Sequence, residues 1–190
     1  MWALTLWNEG SPSLQWGVVI SVSLLAAVVD VAWRRIPNLL VGPIWVGGLV
    51  WAAWVGGPPA LGDAFVAGVM LAAPYILLFL FAGGGAGDAK LMGAIGAWLG
   101  LVNGTVALCC VSLAGVVLGI AFALAKKRLR TVWANLAGAR WRLLLLAFGP
   151  DRWSLVRDPL VDSGMLKIPY GLAIFAGVCA AATGVLLWRA

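Results

Sequence analysis

Apolar runs of bilayer-spanning length recur along this chain, and they limit its fold more than any other feature. Of its 190 residues, 63% are hydrophobic and 11% charged, whereas an ordinary soluble domain carries about 25% charged residues. A helix needs roughly 20 mostly apolar residues to cross a bilayer. The sequence therefore predicts an all-α fold, a polytopic membrane helical bundle. Residues 1–190 read as a single membrane-embedded domain with no room for a soluble domain of typical size. Six transmembrane helices are expected, over approximately 14–33, 39–55, 64–81, 90–101, 105–125 and 168–188. Gly56-Gly57-Pro58-Pro59 marks one turn, and Gly83-Gly84-Gly85-Ala86-Gly87 breaks the chain before Asp88.

Charge gives this bundle an orientation. Alternation of six spans puts every basic residue except Arg189 on one face, out of 13 in all. Cytoplasmic loops carry the excess of Lys and Arg, so both termini are expected outside. Asp30 and Asp88 are then expected at the cytoplasmic face. The net charge of +6 reflects this bias, and no basic stripe with stacking aromatics suggests nucleic acid. Loop 126–167 is expected on the cytoplasmic side. Within it Trp133, Leu136, Ala137, Trp141, Leu144 and Phe148 recur at helical spacing, flanked by Arg140 and Arg142. That pattern fits an interfacial helix, or equally one packed over the cytoplasmic ends of the bundle. The 12 tryptophans are expected mostly in aromatic belts near span ends. Gly93, Gly96, Gly100, Gly115 and Gly119 read as points of close helix contact. Cys109, Cys110 and Cys179 lie in apolar runs without a CxxC pair and read as small buried hydrophobes. No metal site or disulfide framework is expected.

Histidine is absent. That removes Ser-His-Asp and Cys-His catalysis and HExxH zinc chemistry together. The acids at the span edges then draw attention, because a carboxylate at a membrane margin is costly. Asp30 opens Asp30-Val31-Ala32-Trp33-Arg34-Arg35-Ile36-Pro37-Asn38, and Asp88 stands in Gly85-Ala86-Gly87-Asp88-Ala89-Lys90-Leu91. Each has a plain structural explanation. Asp30 can pair with Arg34 one turn on, Asn38 can cap the next helix, and Asp88 can cap the fourth. Together they permit more. Two carboxylates at one depth can share a water and a proton. One activates the water while the other polarises a scissile carbonyl and protonates the leaving amine. Glycines beside Asp88 let an extended peptide approach closely.

These motifs resemble those of the type IV prepilin peptidases, GxGD aspartic membrane proteases. The match consists of Asp30 with Arg35-Ile36-Pro37-Asn38, Gly85-Ala86-Gly87-Asp88-Ala89-Lys90-Leu91 followed by Gly96, and a weaker Lys167-Ile168-Pro169-Tyr170-Gly171 opening the last span. The resemblance implies that Asp30 and Asp88 are the catalytic pair. It implies that Asn38, Gly85, Gly87, Lys90 and Pro169 bind substrate or support the site, with Lys90 holding substrate or tuning Asp88. It further implies an enzyme of the bacterial cytoplasmic (inner) membrane that cleaves prepilin leaders at the cytoplasmic face. Prepilin-like substrates, the lipid bilayer and the pilus assembly machinery are the implied partners. No insertion with two CxxC pairs separates the first spans, so the chain is similar to the short form associated with Flp-type, tight-adherence pili. No cofactor or metal is expected. The alternatives are an archaeal preflagellin-type or other GxGD protease, a small membrane transporter binding ions through Asp30 and Asp88, and a non-catalytic assembly protein.

Overall fold

A computed structural model describes residues 12–33, 37–82, 85–125 and 170–189. These form α1 (Pro12–Trp33), α2 (Asn38–Ala82), α3 (Ala86–Ala125) and α4 (Tyr170–Arg189). Each helix is long and apolar enough to cross a bilayer. A helix is also the one single-segment structure that satisfies its own backbone in lipid. Ser21, Ser23, Thr105 and Thr183 turn their hydroxyls onto carbonyls of their own helices, so these polar groups need no water. Large apolar side chains such as Leu25, Val50, Phe79, Val116 and Leu187 are exposed. Apolar surface on this scale suits lipid contact. The architecture is the expected all-helical membrane bundle.

A continuous α2 of 45 residues would run roughly 68 Å at 1.5 Å per residue, twice the hydrocarbon thickness. It is not continuous. Gly57 has φ 67° and ψ −158°, and Gly100 in α3 has φ 68° and ψ −178°. This backbone region is essentially reserved for glycine. Beyond each break the chain folds back on itself. Ala52, Ala60 and Ala64 share one buried cluster. The rings of Trp45 and Phe65 lie 6.3 Å apart, although a straight helix would hold them roughly 30 Å apart. Pro58 and Pro59 open the second half of α2, where a missing N–H is tolerated. The same break in α3 frees the Leu101 N–H, which donates to Asp63 Oδ2 at 3.1 Å. Asp63 thus caps, from a neighbouring helix, the piece that continues to Ala125. Gly100, buried like its neighbours, is therefore the break between helix halves, a role its spacing did not suggest.

The first half of α3 is the hub, with every residue from 91 to 100 buried. Small residues let its neighbours close in. A Cβ on Gly96 would sit 2.7 Å from the Ala67 carbonyl carbon, and one on Gly48 would sit 2.9 Å from that of Ala97. Gly177 of α4 lies against the Val111 backbone in the same way. Gly119 has open space around it, so it is no contact point here. The core joins Trp16 and Val19 of α1, Leu71 of α2, Leu91, Met92, Ile95 and Val111 of α3, and Ile174 and Val178 of α4. Trp33, Trp54 and Trp188 are exposed near helix ends, as belts require. Trp16 and Trp98 are instead buried, and Trp98 donates to the Ile44 carbonyl at 2.8 Å. Cys109 is exposed, while Cys110 and Cys179 are half-buried, so burial does not extend to Cys109. The helix expected within 126–167 lies outside the described residues.

Candidate active site

Four helix ends meet at one end of the bundle: the C-terminus of α1 and the N-termini of α2, α3 and α4. The N-terminal turn of a helix presents free N–H groups and a partial positive charge. Carboxylates are therefore stabilised there. Asp30, near the end of α1, uses this directly. Its Oδ2 accepts a hydrogen bond of 2.9 Å from the Gly171 N–H in the first turn of α4. Glycine suits the position opposite it, since a Cβ at 171 would lie 3.0 Å from the Asp30 Cβ and 3.1 Å from the Ala27 Cα and α1 or α4 would have to shift to admit it. The Pro-Tyr-Gly motif thus contributes a backbone donor. Pro169 itself lies outside the described residues, as do Arg34, Arg35 and Ile36, so the expected Asp30–Arg34 pair falls there too.

Asp88 occupies the first turn of α3, where its own N–H bonds the Gly85 carbonyl at 3.2 Å. Its carboxylate lies over Gly85, so close that a Cβ there would sit 2.7 Å from Oδ2. Gly85 and the half-buried Gly87 leave this turn without bulk. Asp30 and Asp88 are both half-buried and near enough for their charges to interact. Two acids that lie on either side of the whole of α2 in sequence are thus brought within electrostatic reach of each other.

Asn38 and Lys90 also meet, with the Lys90 ammonium donating to Asn38 Oδ1 at 2.8 Å. Asn38 is engaged there, and the Pro37 carbonyl takes the Leu40 N–H at 3.1 Å, a turn made by backbone alone. At about 100° per residue, Lys90 points to the far side of α3 from Asp88. That side opens on an apolar groove of about 580 Å³ between α2 and α3, lined by Asn38, Val41, Trp45, Val69, Ile76 and Lys90 among others. Lys90 thus lines that groove, with its ammonium on Asn38 and on the opposite side of α3 from the Asp88 carboxylate.

Sequence reasoning passed over one group at this site. Tyr75 of α2 is buried and stacks edge-on with Tyr170 at 6.0 Å. Both tyrosines are in electrostatic reach of Asp88. The available signal was their scarcity, because the chain has only 2 tyrosines and both come to this spot.

The chain is also similar to known proteins. Residues 17–124, more than half of the chain, match the type IV leader peptidase family. Over 159 residues the chain is 32% identical to the prepilin leader peptidase/N-methyltransferase of Aeromonas salmonicida strain A449, covering 74% of this chain and 53% of that protein. A protein of the same description from Aeromonas salmonicida matches to the same extent. The chain spans about half the length of these curated relatives. No solved structure is a significant match. The matched region holds both aspartates and the α2–α3 scaffold around them, and this chain belongs to the type IV leader peptidase family.

Proposed function

We propose that this protein is an aspartic endopeptidase that removes leader peptides from type IV, Flp-like prepilins at the cytoplasmic face of the inner membrane. The observation that carries this reading is that Asp30 and Asp88 stand at the same end of the bundle, where the Asp30–Gly171 and Asn38–Lys90 bonds tie the helix ends together, within electrostatic reach of each other. One ionised carboxylate draws a proton from a shared water, and the water oxygen attacks the scissile carbonyl carbon. The other, protonated, polarises the carbonyl oxygen. The departing amine then takes a proton from the dyad. The Gly171 N–H holds Asp30 in orientation for this work. Gly85 and Gly87 leave room for an extended peptide beside Asp88. Asn38, Lys90 and Pro169 support substrate binding, the first two at the mouth of the apolar groove. The Flp-like substrate class is supported by the short join between α1, ending at Trp33, and α2, starting at Asn38.

The bundle crosses the bilayer six times in this reading, with the breaks at Gly57 and Gly100 turning α2 and α3 back on themselves. Basic residues then gather on the face that holds the site.

Asp30 also has a purely structural use as an acceptor for α4, so the test must preserve that bond. Asparagine keeps the acceptor and loses the acid. Co-expression with a tagged Flp-type prepilin should show leader cleavage by the unaltered protein. Asp30→Asn and Asp88→Asn, each present in the membrane at normal abundance, should leave the precursor intact. Cleavage by either variant would sink the dyad.

A further inference from the structure

The apolar groove between α2 and α3 lies on the far side of α3 from Asp88, and its two ends differ in chemistry. Its floor is small. Gly42, Gly68, Ala72 and Gly93 line it, and a Cβ on Gly68 would come 3.1 Å from the Gly93 carbonyl oxygen. Val69, Ile76 and Phe79 form an exposed wall, so the groove opens sideways, where the bilayer lies. Apart from the Trp45 indole, its polar lining side chains are Asn38 and Lys90. Both stand at the end where α2 and α3 begin.

That end attracts anions. The Lys90 ammonium carries three N–H donors, and its hydrogen-bond partner among the described residues is the neutral Asn38 Oδ1, at 2.8 Å. The remaining ammonium donors and the Asn38 amide N–H groups are available to a ligand. No carboxylate lines the groove. The N-terminal turns of α2 and α3 add free N–H groups and partial positive charge. A negative group therefore fits this end, and hydrocarbon fits the rest.

Depth decides what kind of molecule combines the two. The wall from Phe79 to Val69 rises roughly 15 Å at 1.5 Å per residue, half of a hydrocarbon core that is about 30 Å thick. No lining residue comes from the parts of α2 and α3 around Gly57 and Gly100. The groove is one leaflet deep. A transmembrane peptide segment crosses both leaflets, whereas a phospholipid occupies one. Basic pockets between transmembrane helices hold anionic lipid head groups in this way.

We propose that the groove binds one anionic phospholipid, with its phosphate on Lys90 and Asn38 and an acyl chain lying between α2 and α3. Phosphatidylcholine carries the same phosphate but brings a quaternary ammonium that Lys90 and the helix N-termini repel. The inference goes beyond the peptidase reading and stands without it. In that reading Asn38 and Lys90 also support substrate, so a prepilin that reaches them competes with the headgroup.

The test titrates the full-length protein, delipidated in detergent, with phosphatidylglycerol or with phosphatidylcholine of the same acyl chains. Native mass spectrometry counts the lipids bound. One phosphatidylglycerol should bind ahead of any others, and more tightly than phosphatidylcholine. Lys90→Gln should weaken that first binding roughly 10-fold or more, the scale of a charge-assisted hydrogen bond, and Lys90→Arg should keep it. Ala72→Leu, which fills the floor, should weaken it too. Val69→Phe narrows the groove from its exposed wall and replaces Ala72→Leu if that variant does not fold. The variants should melt with the unaltered protein when lipid-free. Lys90→Gln and the groove-filling variant should lose the rise in melting temperature that phosphatidylglycerol gives it. Equal binding of the two lipids overturns the inference, as does full phosphatidylglycerol affinity in Lys90→Gln. Loss in Lys90→Gln with none in the groove-filling variant also overturns it, because the acyl chain then lies elsewhere. Binding of no lipid gives the groove to another occupant, prepilin or residues 126–167, and overturns it as well.

Discussion

Three aspartates of this chain occupy comparable places, each at the N-terminal end of a helix piece, and they do different jobs. Asp63 bonds the Leu101 N–H at 3.1 Å and repairs a broken helix. Asp30 bonds the Gly171 N–H at 2.9 Å and stands beside a second acid. Asp88 is that second acid, and its neighbourhood is glycine. A carboxylate at a helix start is thus not by itself a sign of chemistry, and what separates Asp30 and Asp88 from Asp63 is that each lies within electrostatic reach of another acid. Gly171 makes this arrangement sensitive to a single methyl group. Gly171→Ala would place a carbon 3.0 Å from the Asp30 Cβ and 3.1 Å from the Ala27 Cα, and neither contact is the end of a flexible side chain. Overpacking of this kind costs about 1–3 kcal/mol, and relief requires α4 to move away from α1. The Gly171–Asp30 bond then lengthens and the carboxylate loses its orientation. Prepilin cleavage by Gly171→Ala is expected to fall at least as far as thermal stability predicts, and further when rates are normalised to folded protein. Equal rates per folded molecule would mean that the bond does not orient Asp30.

At the scale of the helices, the sequence and the structure part company over glycine. The apolar runs and the Gly56-Gly57-Pro58-Pro59 turn were legible, because composition and proline alone carry those signals. So were the two acidic motifs, because ionisable groups at the edge of an apolar run stand out whatever the fold does. Gly100 was not legible. It sits in a run with Gly93 and Gly96 at matching spacing, and only the backbone angle distinguishes it. Gly96 is needed for closeness to Ala67, whereas Gly100 is needed for its φ of 68°. Tyr75 was not legible either, since it lies within a long apolar segment and gains meaning only from its long-range contact with Tyr170. These two kinds of glycine should respond differently to the same substitution. Gly100→Ala forces an L-residue into a region that costs about 1–3 kcal/mol, with space around it playing little part. Gly96→Ala meets backbone, with the Ala67 carbonyl carbon at 2.7 Å, and must push α2 off α3. Thermal unfolding in detergent should show both variants destabilised. Only Gly96→Ala should be rescued in part by a second-site change that shrinks the facing helix, namely Ala67→Gly. Rescue of Gly100→Ala by that same change would mean that its φ is not the constraint.

For the molecule as a whole, the site depends on how many times the chain crosses the bilayer. Asp30 ends α1, while Asn38 and Asp88 begin α2 and α3, and these ends share one face through the Asn38–Lys90 and Asp30–Gly171 bonds. If α2 and α3 each turn back inside one bilayer thickness, their breaks belong on the opposite face. Asp63 and Leu101, joined beside those breaks, belong there too. The positive-inside bias then makes the site face cytoplasmic and the Gly57 face external. Single cysteines can read this directly once Cys109, Cys110 and Cys179 are replaced by alanine. Pro58→Cys and Ala86→Cys place thiols at exposed positions on the two faces. In cells with a permeabilised outer membrane, a membrane-impermeant maleimide should label position 58 at once. It should reach position 86 only after the inner membrane is opened. The reverse pattern would invert the bundle and remove the cytoplasmic cleavage site. Labelling of both positions from one side would mean that α2 does not carry the chain across and back, and the orientation drawn from the basic residues would fall with it.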